Sequence, residues 1–421
     1  MSQNLDKLLI QLINLYPKCI DLSLERLLKL LEKLGNPHLK IPPVIHIAGT
    51  NGKGSTLSYI LHILKENNFL VNAYISPHLN SFNERIILNN KEVRTNELFI
   101  NLQYVKKINA NKPITFFEIT TATAFYLFSK VKADFLLLET GLGGRLDATN
   151  VIKESLIDII TPIGIDHQEF LGKNILKITD EKLGIIKKNS YIIISKQKKQ
   201  IKLYIKNKIK NRKNKKIFFN DQFKIIEKNK KTFTLEFKKQ RFKFKKPLLI
   251  GDHQVENLST AVATILQLNE IGFSFSQKII NSGIIKTKWP GRLEKGELKN
   301  IPVYLDGAHN IDGAIQLSKF FLKQKNKVWL IFGMLNNKEI FFYLKKLKPI
   351  LKGVIAISIP NQKNSFTPEE IFKVCEELKI NCFKKSSVTK ANSFLLSKIK
   401  PNTILISGSL YLVGKIRKHY L

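Results

Sequence analysis

The eleven residues HIAGTNGKGST, numbered 46–56, concentrate the residue types that bind phosphate. The apolar stretch Val44–Ala48 predicts a buried strand that leads into the glycines, and Leu57–Leu64 predicts a helix after them. A glycine loop between a strand and a helix offers unpaired amide groups and the positive end of the helix dipole to an anion, and Lys53 adds charge. The spacing departs from the usual G-x-x-x-x-G-K-[ST] pattern. Taken alone, the stretch therefore fits either a phosphate site or an ordinary glycine turn.

Polar residues that suit Mg²⁺ chemistry follow three further predicted strands. Ser76 comes after one strand, Glu139 ends the strand FLLLE, and Asp166 and His167 follow the strand DIITPI. Ligand chemistry in an open α/β sheet gathers where strands end. Each residue also has a structural alternative, such as a helix cap or a buried histidine. Together, beside a phosphate loop, they indicate Mg²⁺-assisted phosphoryl transfer.

The composition predicts a soluble cytoplasmic protein with no nucleic-acid or membrane partner. The formal charge is +37, yet only eight of the 70 basic residues are arginine, the residue best suited to phosphate and base contacts. Lysine-rich residues 191–250 alternate with apolar ones and predict half-exposed strands with lysines outward. No signal peptide or membrane-length apolar run is present, and the three cysteines suggest neither disulfides nor zinc.

The order of predicted elements indicates an α/β protein of two domains. Helical spacing covers residues 4–34, and apolar strands then alternate with helical patterns, which is the rhythm of a mostly parallel sheet with helices on both faces. The segment Lys286–Arg292, KTKWPGR, interrupts any regular element. We therefore expect a P-loop-type domain over 1–287 and a smaller, Rossmann-like α/β domain over 288–421.

Twelve segments in this order resemble the dihydrofolate synthase/folylpolyglutamate synthase family of the Mur ligase superfamily, most closely its bifunctional bacterial members. They extend from about residue 20 to 415 and read IDLSLER, GTNGKGS, SPHL…ERI, ITFFEITTA, ETGLGGRLDATN, DHQEFLG, DEKLGIIK, GDHQVENLSTA, WPGRLE, LDGAHN, GMLNNKEI and SGSLYLVG. Two departures stand out: Leu183 replaces the family's usual alanine, and residues 201–246 match poorly. The second departure bears on the shape of the first domain's outer part.

The resemblance implies four sets of binding residues. ATP is expected at Asn51, Gly52, Lys53, Gly54, Ser55, Asn257, Arg292 and Asp306, the last two reaching over from the second domain. Two Mg²⁺ ions are expected at Ser76, Glu139, His167 and Lys182. The pterin substrate is expected at Ile20, Asp21, Leu22, Ser23, Thr115, Phe116, Phe117, Glu118, Leu146, Asp147 and Ala148. L-glutamate is expected at His309 and Ser409, although Ser409 also fits a helix cap.

The implied reaction joins glutamate to a folate carboxylate through an acyl phosphate, with Lys53, Lys182, His167 and His309 as catalytic residues. The family's E-K-x-G-I signature places a lysine carbamate, formed with CO₂, at Lys182. The expected partners are small molecules only (dihydropteroate, folates, L-glutamate and ATP), and a monomer is expected.

Three alternatives remain open from the sequence. Another Mur-type amino acid ligase would carry an extra N-terminal domain, whereas fewer than fifty residues precede Gly49. An enzyme with folylpolyglutamate synthase activity alone would show the same motifs. A basic nucleic-acid-binding protein would interleave aromatics with arginines on one face.

Overall fold

The computed structural model describes residues 2–16 and 21–421, and the chain divides into two compact units. Unit 1 comprises Met1–Pro247 and Glu256–Thr287, and unit 2 comprises Leu248–Val255 and Lys288–Leu421. Residues 248–255, which the predicted first domain included, thus cluster with the second unit. Within the described residues, no helix has both the length and the apolar character needed to cross a bilayer.

Unit 1 is built on a mixed sheet of eight described strands in the order β4-β3-β2-β5-β1-β6-β7-β8. The strands are β1 Val44–Ala48, β2 Val71–Tyr74, β3 Ile86–Leu88, β4 Lys91–Glu92, β5 Phe135–Glu139, β6 Ile157–Ile160, β7 Tyr191–Ile194 and β8 Lys216–Phe218. The six from β2 to β8 pair in parallel, and β3 and β4 add an antiparallel edge. The predicted mostly parallel sheet is therefore confirmed.

Helices cover both faces of this sheet. They are α1 Ser2–Ile13, α2 Glu25–Lys33, α3 Lys53–Glu66, α4 Thr95–Asn109, α5 Phe116–Lys130, α6 Gln168–Leu171, α7 Ile175–Leu183, α8 Lys199–Lys208, α9 Asp252–Glu270 and α10 Gln277–Lys286. One apolar core includes side chains of α1, α2, α4 and α5, and another includes those of α7 and α8. Every residue of β1 and β5 is buried, as expected for central strands of a parallel sheet.

Within the lysine-rich segment, residues 223–245 form an antiparallel sheet of three strands in the order β11-β10-β9. These strands are β9 Phe223–Lys228, β10 Thr232–Phe237 and β11 Gln240–Lys245. In β11, Phe244 is buried whereas Lys243 and Lys245 are exposed. The prediction of strands with outward lysines is confirmed for residues 223–245. It is wrong for residues 199–208 of the same segment, which form helix α8.

Unit 2 contains a six-stranded sheet in the order β12-β13-β17-β14-β15-β16. Its strands are β12 Glu294–Leu298, β13 Ile301–Leu305, β14 Val328–Phe332, β15 Leu351–Ala356, β16 Cys382–Lys384 and β17 Ile404–Ser407. Its helices are α11 Ile311–Lys323, α12 Ile340–Leu347, α13 Pro368–Glu377, α14 Val388–Phe394 and α15 Leu410–Ile416. All neighbours except β12 and β13 pair in parallel, which agrees with the predicted α/β class of this part of the chain.

Helix α3, which follows the glycine loop, is held in place by close packing against α10. At Gly283 of α10, an added Cβ would lie 2.6 Å from Ile63 Cα, so the two helix backbones approach too closely for any side chain. At the end of α3, Glu66 accepts hydrogen bonds from Lys286 at 2.7 Å and from Ser282 at 2.7 Å. The glycine at 283 therefore fixes the position of the helix that begins at Lys53.

We expect Gly283→Ala to lower the free energy of unfolding by about 1–3 kcal/mol, because the new methyl group forces α10 away from α3. Chemical denaturation measures the change. Lys278→Ala, at an exposed position on the same helix, is the matched control and should be nearly neutral. Equal effects of the two substitutions would contradict the packing described here.

Candidate active site

The glycine loop between β1 and α3 has the geometry of an anion cradle. Helix α3 begins at Lys53, and its capping residue Gly52 has φ of +83°, which favours glycine. A Cβ at Gly52 would overlap the side-chain oxygen of Asn257, so the amide of α9 lies directly against the loop. The first amide groups of a helix have no partner within it and face an approaching anion. Of the predicted ATP set, Asn51 to Ser55 and Asn257 are thus brought together.

Two lysines converge on a single carbonyl oxygen of this loop. Lys182 Nζ, on α7, donates to Gly49 O at 2.9 Å, and Lys53 Nζ donates to the same oxygen at 3.2 Å. Lys182 is 4% exposed. Burial lowers its pKa to about 7, and the positive charge of Lys53 acts in the same direction. Lys182 is therefore a buried, readily deprotonated amine beside the glycine loop rather than a surface charge.

The segment that follows β6 packs onto the glycine loop and carries His167. Pro162 O accepts from the amides of Thr50 at 3.0 Å and Asn51 at 3.1 Å. Strand β6 ends at Ile160 rather than at the predicted Ile163. Thr161 N still donates to Ala48 O of β1, whereas Pro162 and Gly164 bond to the glycine loop instead of to a strand. His167 has φ of +51°, and its amide donates to Asp166 Oδ1 at 2.9 Å. Asp166 also lies within electrostatic reach of Lys182.

Ser76 and Glu139 are adjacent at the ends of neighbouring strands. Ser76 follows β2, and its amide donates to Glu139 Oε2 at 3.2 Å. Glu139 is the last residue of β5 and is 5% exposed. The Ser76 hydroxyl is buried without a hydrogen-bond partner. Burying a hydroxyl without a partner beside a carboxylate lowers the stability of the fold unless a bound ligand supplies the missing partner.

The residues predicted to bind metal fit Mg²⁺ better than a metal enclosed by protein ligands alone. Among the residues that the structure describes, no group of three or more His, Cys, Asp or Glu side chains is placed to hold an ion. Mg²⁺ takes few protein ligands and completes its shell with water and substrate phosphates. The Ser76 hydroxyl and Glu139 carboxylate suit that pattern, and Lys182 would join them only after losing its positive charge.

Two of the predicted pterin segments are joined through Arg26. Arg26 donates to Asp21 Oδ2 at 3.0 Å and to Glu118 Oε2 at 3.2 Å. Glu118 and Thr115 form a capping box at the start of α5, which fixes that carboxylate. Ser23 lies beside them and accepts from the amide of Glu25. Ile20, the first residue predicted in this set, lies outside the described residues.

The third predicted pterin segment, around Leu146–Ala148, is a rigid turn. Asp147 is buried and accepts from Leu142 N at 2.8 Å and from the Thr149 hydroxyl at 2.6 Å. The Thr149 oxygen in turn accepts from His46 Nε2 at 2.9 Å, and burial lowers the pKa of His46 to about 3. His46 is therefore neutral, and it anchors the turn from the central strand.

Aromatic and apolar contacts bring the pterin segments to the second glycine turn. The Phe117 ring packs against Gly141, where an added Cβ would lie 2.6 Å from the ring. Phe116 contacts Phe82 edge to face. Leu22 and Leu142 pack against the same apolar core. Within unit 1, the structure thus gathers the described members of the predicted pterin set.

The turn predicted to bind pterin is also bonded to α7, next to Lys182. Arg145 N donates to Glu181 O at 2.7 Å, and its guanidinium donates to the Glu181 carboxylate at 2.8 Å. An added Cβ on Gly144 would lie 3.0 Å from Lys182 Cα. The turn and the buried lysine therefore share one tightly packed backbone contact.

In unit 2, the predicted residues gather after β13. Asp306 is buried and accepts from the amides of Leu293 and Ala308, both at 2.8 Å. Burial raises the pKa of its carboxyl, and the positive charge of Arg292 partly offsets that shift. The same guanidinium acts on His253, whose pKa burial lowers to about 4. Arg292 and Asp306 are thus close together.

His309 and Ser409 follow two adjacent parallel strands, β13 and β17. His309 Nδ1 lies 3.0 Å from Gly307 O, and because a carbonyl only accepts, Nδ1 carries a proton and donates to it. Ser409 caps α15 by accepting from Tyr411 N at 3.1 Å, so the structural alternative weighed for Ser409 is present. Gly408 N donates to Ala308 O at 3.2 Å and joins the two loops.

Comparison with known proteins covers nearly the whole chain. Residues 47–265 match the Mur ligase middle domain, and residues 292–419 match the dihydrofolate synthetase C-terminal domain. The dihydrofolate synthase/folylpolyglutamate synthase of Bacillus subtilis is 32% identical over 413 residues, which cover 94% of each chain. A probable dihydrofolate synthetase of Schizosaccharomyces pombe is 33% identical and covers 95% of this chain and 98% of that protein. The chain belongs to the dihydrofolate synthase/folylpolyglutamate synthase family.

Solved structures of this family have the same fold. Escherichia coli FolC in complex with DHPP and ADP matches with a TM-score of 0.87 and 26% identity, over 99% of this chain and 97% of that one. A folylpolyglutamate synthase complex with AMPPCP and folate matches with a TM-score of 0.84 and 27% identity, over 99% of each chain. The predicted family, fold class and ligase activity are confirmed by these matches.

The family motifs did not identify several residues that position the site. His46 anchors the turn predicted to bind pterin from within a strand. Tyr343 and Ser407 lie beneath the loops of unit 2. His46 could have been recognised from the sequence as a polar residue inside an apolar strand. No such pattern marks Tyr343, because the sequence of its helix is that of an ordinary amphipathic helix.

The shifted pKa of Lys182 predicts a specific pH dependence of stability. From its folded pKa of about 7 up to the ordinary value of 10.5, the unfolded chain holds a proton that the folded chain has lost. The free energy of unfolding should therefore rise with pH across this window, by at most about 1.4 kcal/mol per pH unit relative to Lys182→Met. Below pH 7 the difference should be constant. Denaturation without nucleotide in CO₂-free buffer measures it, and parallel curves for the two proteins would contradict it.

Proposed function

We propose that this chain uses ATP to join L-glutamate to the carboxylate of dihydropteroate and to the γ-carboxylate of reduced folates. The observation that carries the proposal is the anion cradle in which Lys53 and Lys182 meet at Gly49 O, packed against the turn predicted to bind pterin. A cradle alone would fit many nucleotide enzymes. Its continuity with the pterin turn, through Arg145 and Glu181, favours transfer of phosphate to a folate carboxylate.

The first half-reaction forms an acyl phosphate. A carboxylate oxygen of the acceptor attacks the γ-phosphorus of ATP, the bond to the β,γ-bridging oxygen breaks, and ADP leaves. The chain's contribution is to hold the phosphates with Asn51 to Ser55 and to offset their charge with Lys53. Asn257, Arg292 and Asp306 are proposed to contact the same nucleotide.

In the second half-reaction, the amine of L-glutamate attacks the activated carbonyl carbon and phosphate leaves. The amine must first lose a proton, since an ammonium has no lone pair. When the His309 ring is neutral, its hydrogen bond from Nδ1 to Gly307 O leaves the lone pair on Nε2, so we propose that His309 binds the amine and accepts this proton. Ser409 is proposed to contact the same substrate, in addition to capping α15.

We propose that Ser76, Glu139 and His167 hold Mg²⁺, which would neutralise phosphate charge during transfer. The unpartnered Ser76 hydroxyl supports this assignment. Lys182 is proposed to react with CO₂: the ammonium first loses a proton, the neutral nitrogen attacks the carbon, and a second proton is released. The product is an anionic carbamate that would be able to bind a second ion. A buried amine beside another cation favours the neutral form that this step needs.

The pterin ring is proposed to lie among Asp21–Ser23, Thr115–Glu118 and Leu146–Ala148. Because all the assigned residues lie on one chain, we propose that the enzyme acts as a monomer. A ligase that consumes ATP works where ATP is available, so we propose a cytoplasmic location.

Glutamate-dependent ADP release, measured with dihydropteroate and with tetrahydrofolate as acceptors, tests the function. Activity with both acceptors would support the bifunctional assignment, and activity with tetrahydrofolate alone would restrict it to chain extension. Absence of glutamate-dependent turnover with either acceptor would overturn the proposal.

Glu139→Gln should abolish turnover while leaving the fold intact, because the amide keeps the shape and removes the charge that serves Mg²⁺. Glu154→Gln, at an exposed position, is the matched control. Turnover is measured over a Mg²⁺ titration, with thermal unfolding as the check on folding. A near-normal rate of Glu139→Gln at ordinary Mg²⁺ would contradict the metal assignment.

Lys182→Ala should lose most of the activity, and short carboxylic acids at high concentration should restore part of it by replacing the carbamate. Labelled bicarbonate should give a carbamate carbon signal in the wild type that the variant lacks. Lys177→Ala, at an exposed position on the same helix, should behave as the wild type. Full turnover of Lys182→Ala in CO₂-depleted buffer would exclude the carbamate.

His309→Ala should raise the KM for L-glutamate far more than the KM for ATP, since its proposed contact is with glutamate alone. His419→Ala, at an exposed histidine of the same unit, provides the control. Steady-state kinetics with each substrate varied in turn measures both constants. Equal increases in the two would mean that the role assigned to His309 is wrong.

A further inference from the structure

A buried pair of hydroxyl groups lies beneath the two loops that carry His309 and Ser409. Tyr343, on α12, places its hydroxyl 3.0 Å from Ala308 O and 2.8 Å from Ser407 Oγ. Ala308 immediately precedes His309, and Ser407 is the last residue of β17. One phenol thus contacts both loops from below.

The donors in this network can be assigned. Ala308 O only accepts, so the Tyr343 hydroxyl donates to it; Ser407 then donates to the Tyr343 oxygen, since its own distance to Ala308 O is 3.5 Å. Gly408 N also donates to Ala308 O, at 3.2 Å. The carbonyl that precedes His309 is therefore held from two directions, and each hydroxyl has a partner.

Tyr343 is itself held rigidly. It is 1% exposed, and its ring stacks on Phe332 with centroids 5.6 Å apart. Burial raises the pKa of its hydroxyl well above the ordinary value, so the group remains a proton donor at any physiological pH. Because its ring is stacked and its hydroxyl has one fixed acceptor, Tyr343 can hold the neighbouring loop in position without taking part in the reaction.

We propose that Tyr343 is a positioning residue for L-glutamate: its hydroxyl sets the separation of the His309 and Ser409 loops. This inference rests on the proposed role of those two residues in binding glutamate. The hydroxyl fixes the carbonyl of Ala308, and the peptide that follows that carbonyl carries His309. Its loss would let the His309 loop shift while leaving the ATP and pterin residues of unit 1 in place.

The test is Tyr343→Phe, which keeps the stacked ring and removes only the hydroxyl. We expect the KM for L-glutamate to rise about tenfold, the effect of losing roughly one buried hydrogen bond, with less than a twofold change in the KM for ATP. Tyr420→Phe is the matched control, because its buried hydroxyl bonds to Asn392 Oδ1 at 2.9 Å elsewhere in unit 2. It should cost similar stability without changing the KM for glutamate.

Two further measurements keep the proposal falsifiable. Ser407→Ala should raise the KM for glutamate in the same direction, and the double variant should be no worse than Tyr343→Phe, because Ser407 acts through the Tyr343 hydroxyl. The ¹⁵N shifts of the His309 ring, which report its bond to Gly307 O without any turnover, should change in Tyr343→Phe and not in Tyr420→Phe.

An unchanged KM for glutamate in Tyr343→Phe, an equal rise in the KM for ATP, or unchanged His309 shifts would each overturn the proposal. If Tyr343→Phe does not fold, Ser407→Ala and its His309 shifts decide. Failure of the proposed function would look different: the wild-type enzyme would show no glutamate-dependent turnover, or His309→Ala would leave the KM for glutamate unchanged.

Discussion

The meeting of two lysine ammonium groups at one carbonyl oxygen, Gly49 O, is the interaction on which the rest of unit 1 depends. Two unit charges 4 Å apart repel by about 4 kcal/mol at an effective dielectric constant of 20. That arrangement is tolerable in a folded protein only where an anion is expected or where one group gives up its proton. Burial favours loss of the proton from Lys182, and the unpaired amides at the start of α3 favour binding of an anion. The loop is therefore built around a charge that arrives with the substrate.

Keeping these groups together constrains the elements around them. The loop follows β1, the strand between β5 and β6 in the sheet. Glu139 pairs with Ile47 near the end of β1, and the segment after β6 reaches the loop through Pro162 O. Helix α7 must pack closely against the glycine loop for Lys182 to reach Gly49 O. The same approach brings its backbone against Gly144, and the bonds of Glu181 to Arg145 hold the pterin turn there. The position of the turn proposed to bind pterin thus follows from the position of Lys182.

The sequence predicted the parts of this arrangement that depend on local pattern. The strand Phe135–Glu139, the glycine loop and the outward lysines of β11 all follow from hydrophobic periodicity and residue type. It could not predict contacts between residues far apart in the chain: Lys182 reads as one of many lysines until α7 is packed against the loop. The early end of β6 has the same origin, since the amides of Thr50 and Asn51 bond to the residues that would have continued the strand. Tyr343 shows the limit most clearly, because only the tertiary structure places its hydroxyl between two loops.

The net charge of +37 has little part in this chemistry. Exposed charges more than about 8 Å apart are screened at physiological ionic strength, so the lysines of α8 and β11 add little at Gly49 O. The buried Lys182, the half-buried Lys53 and the start of α3 act there with much less screening. In the proposed reaction, the charges that act at Gly49 O also link carbamate formation to metal binding. Converting Lys182 to an anion removes one attraction for the phosphates and adds a repulsion, which is favourable only if Mg²⁺ lies between the two. Carbamate formation would therefore raise the affinity for Mg²⁺, and bound Mg²⁺ would favour the carbamate to the same extent, as thermodynamic linkage requires. The unpartnered Ser76 hydroxyl beside Glu139 is the proposed position of that ion.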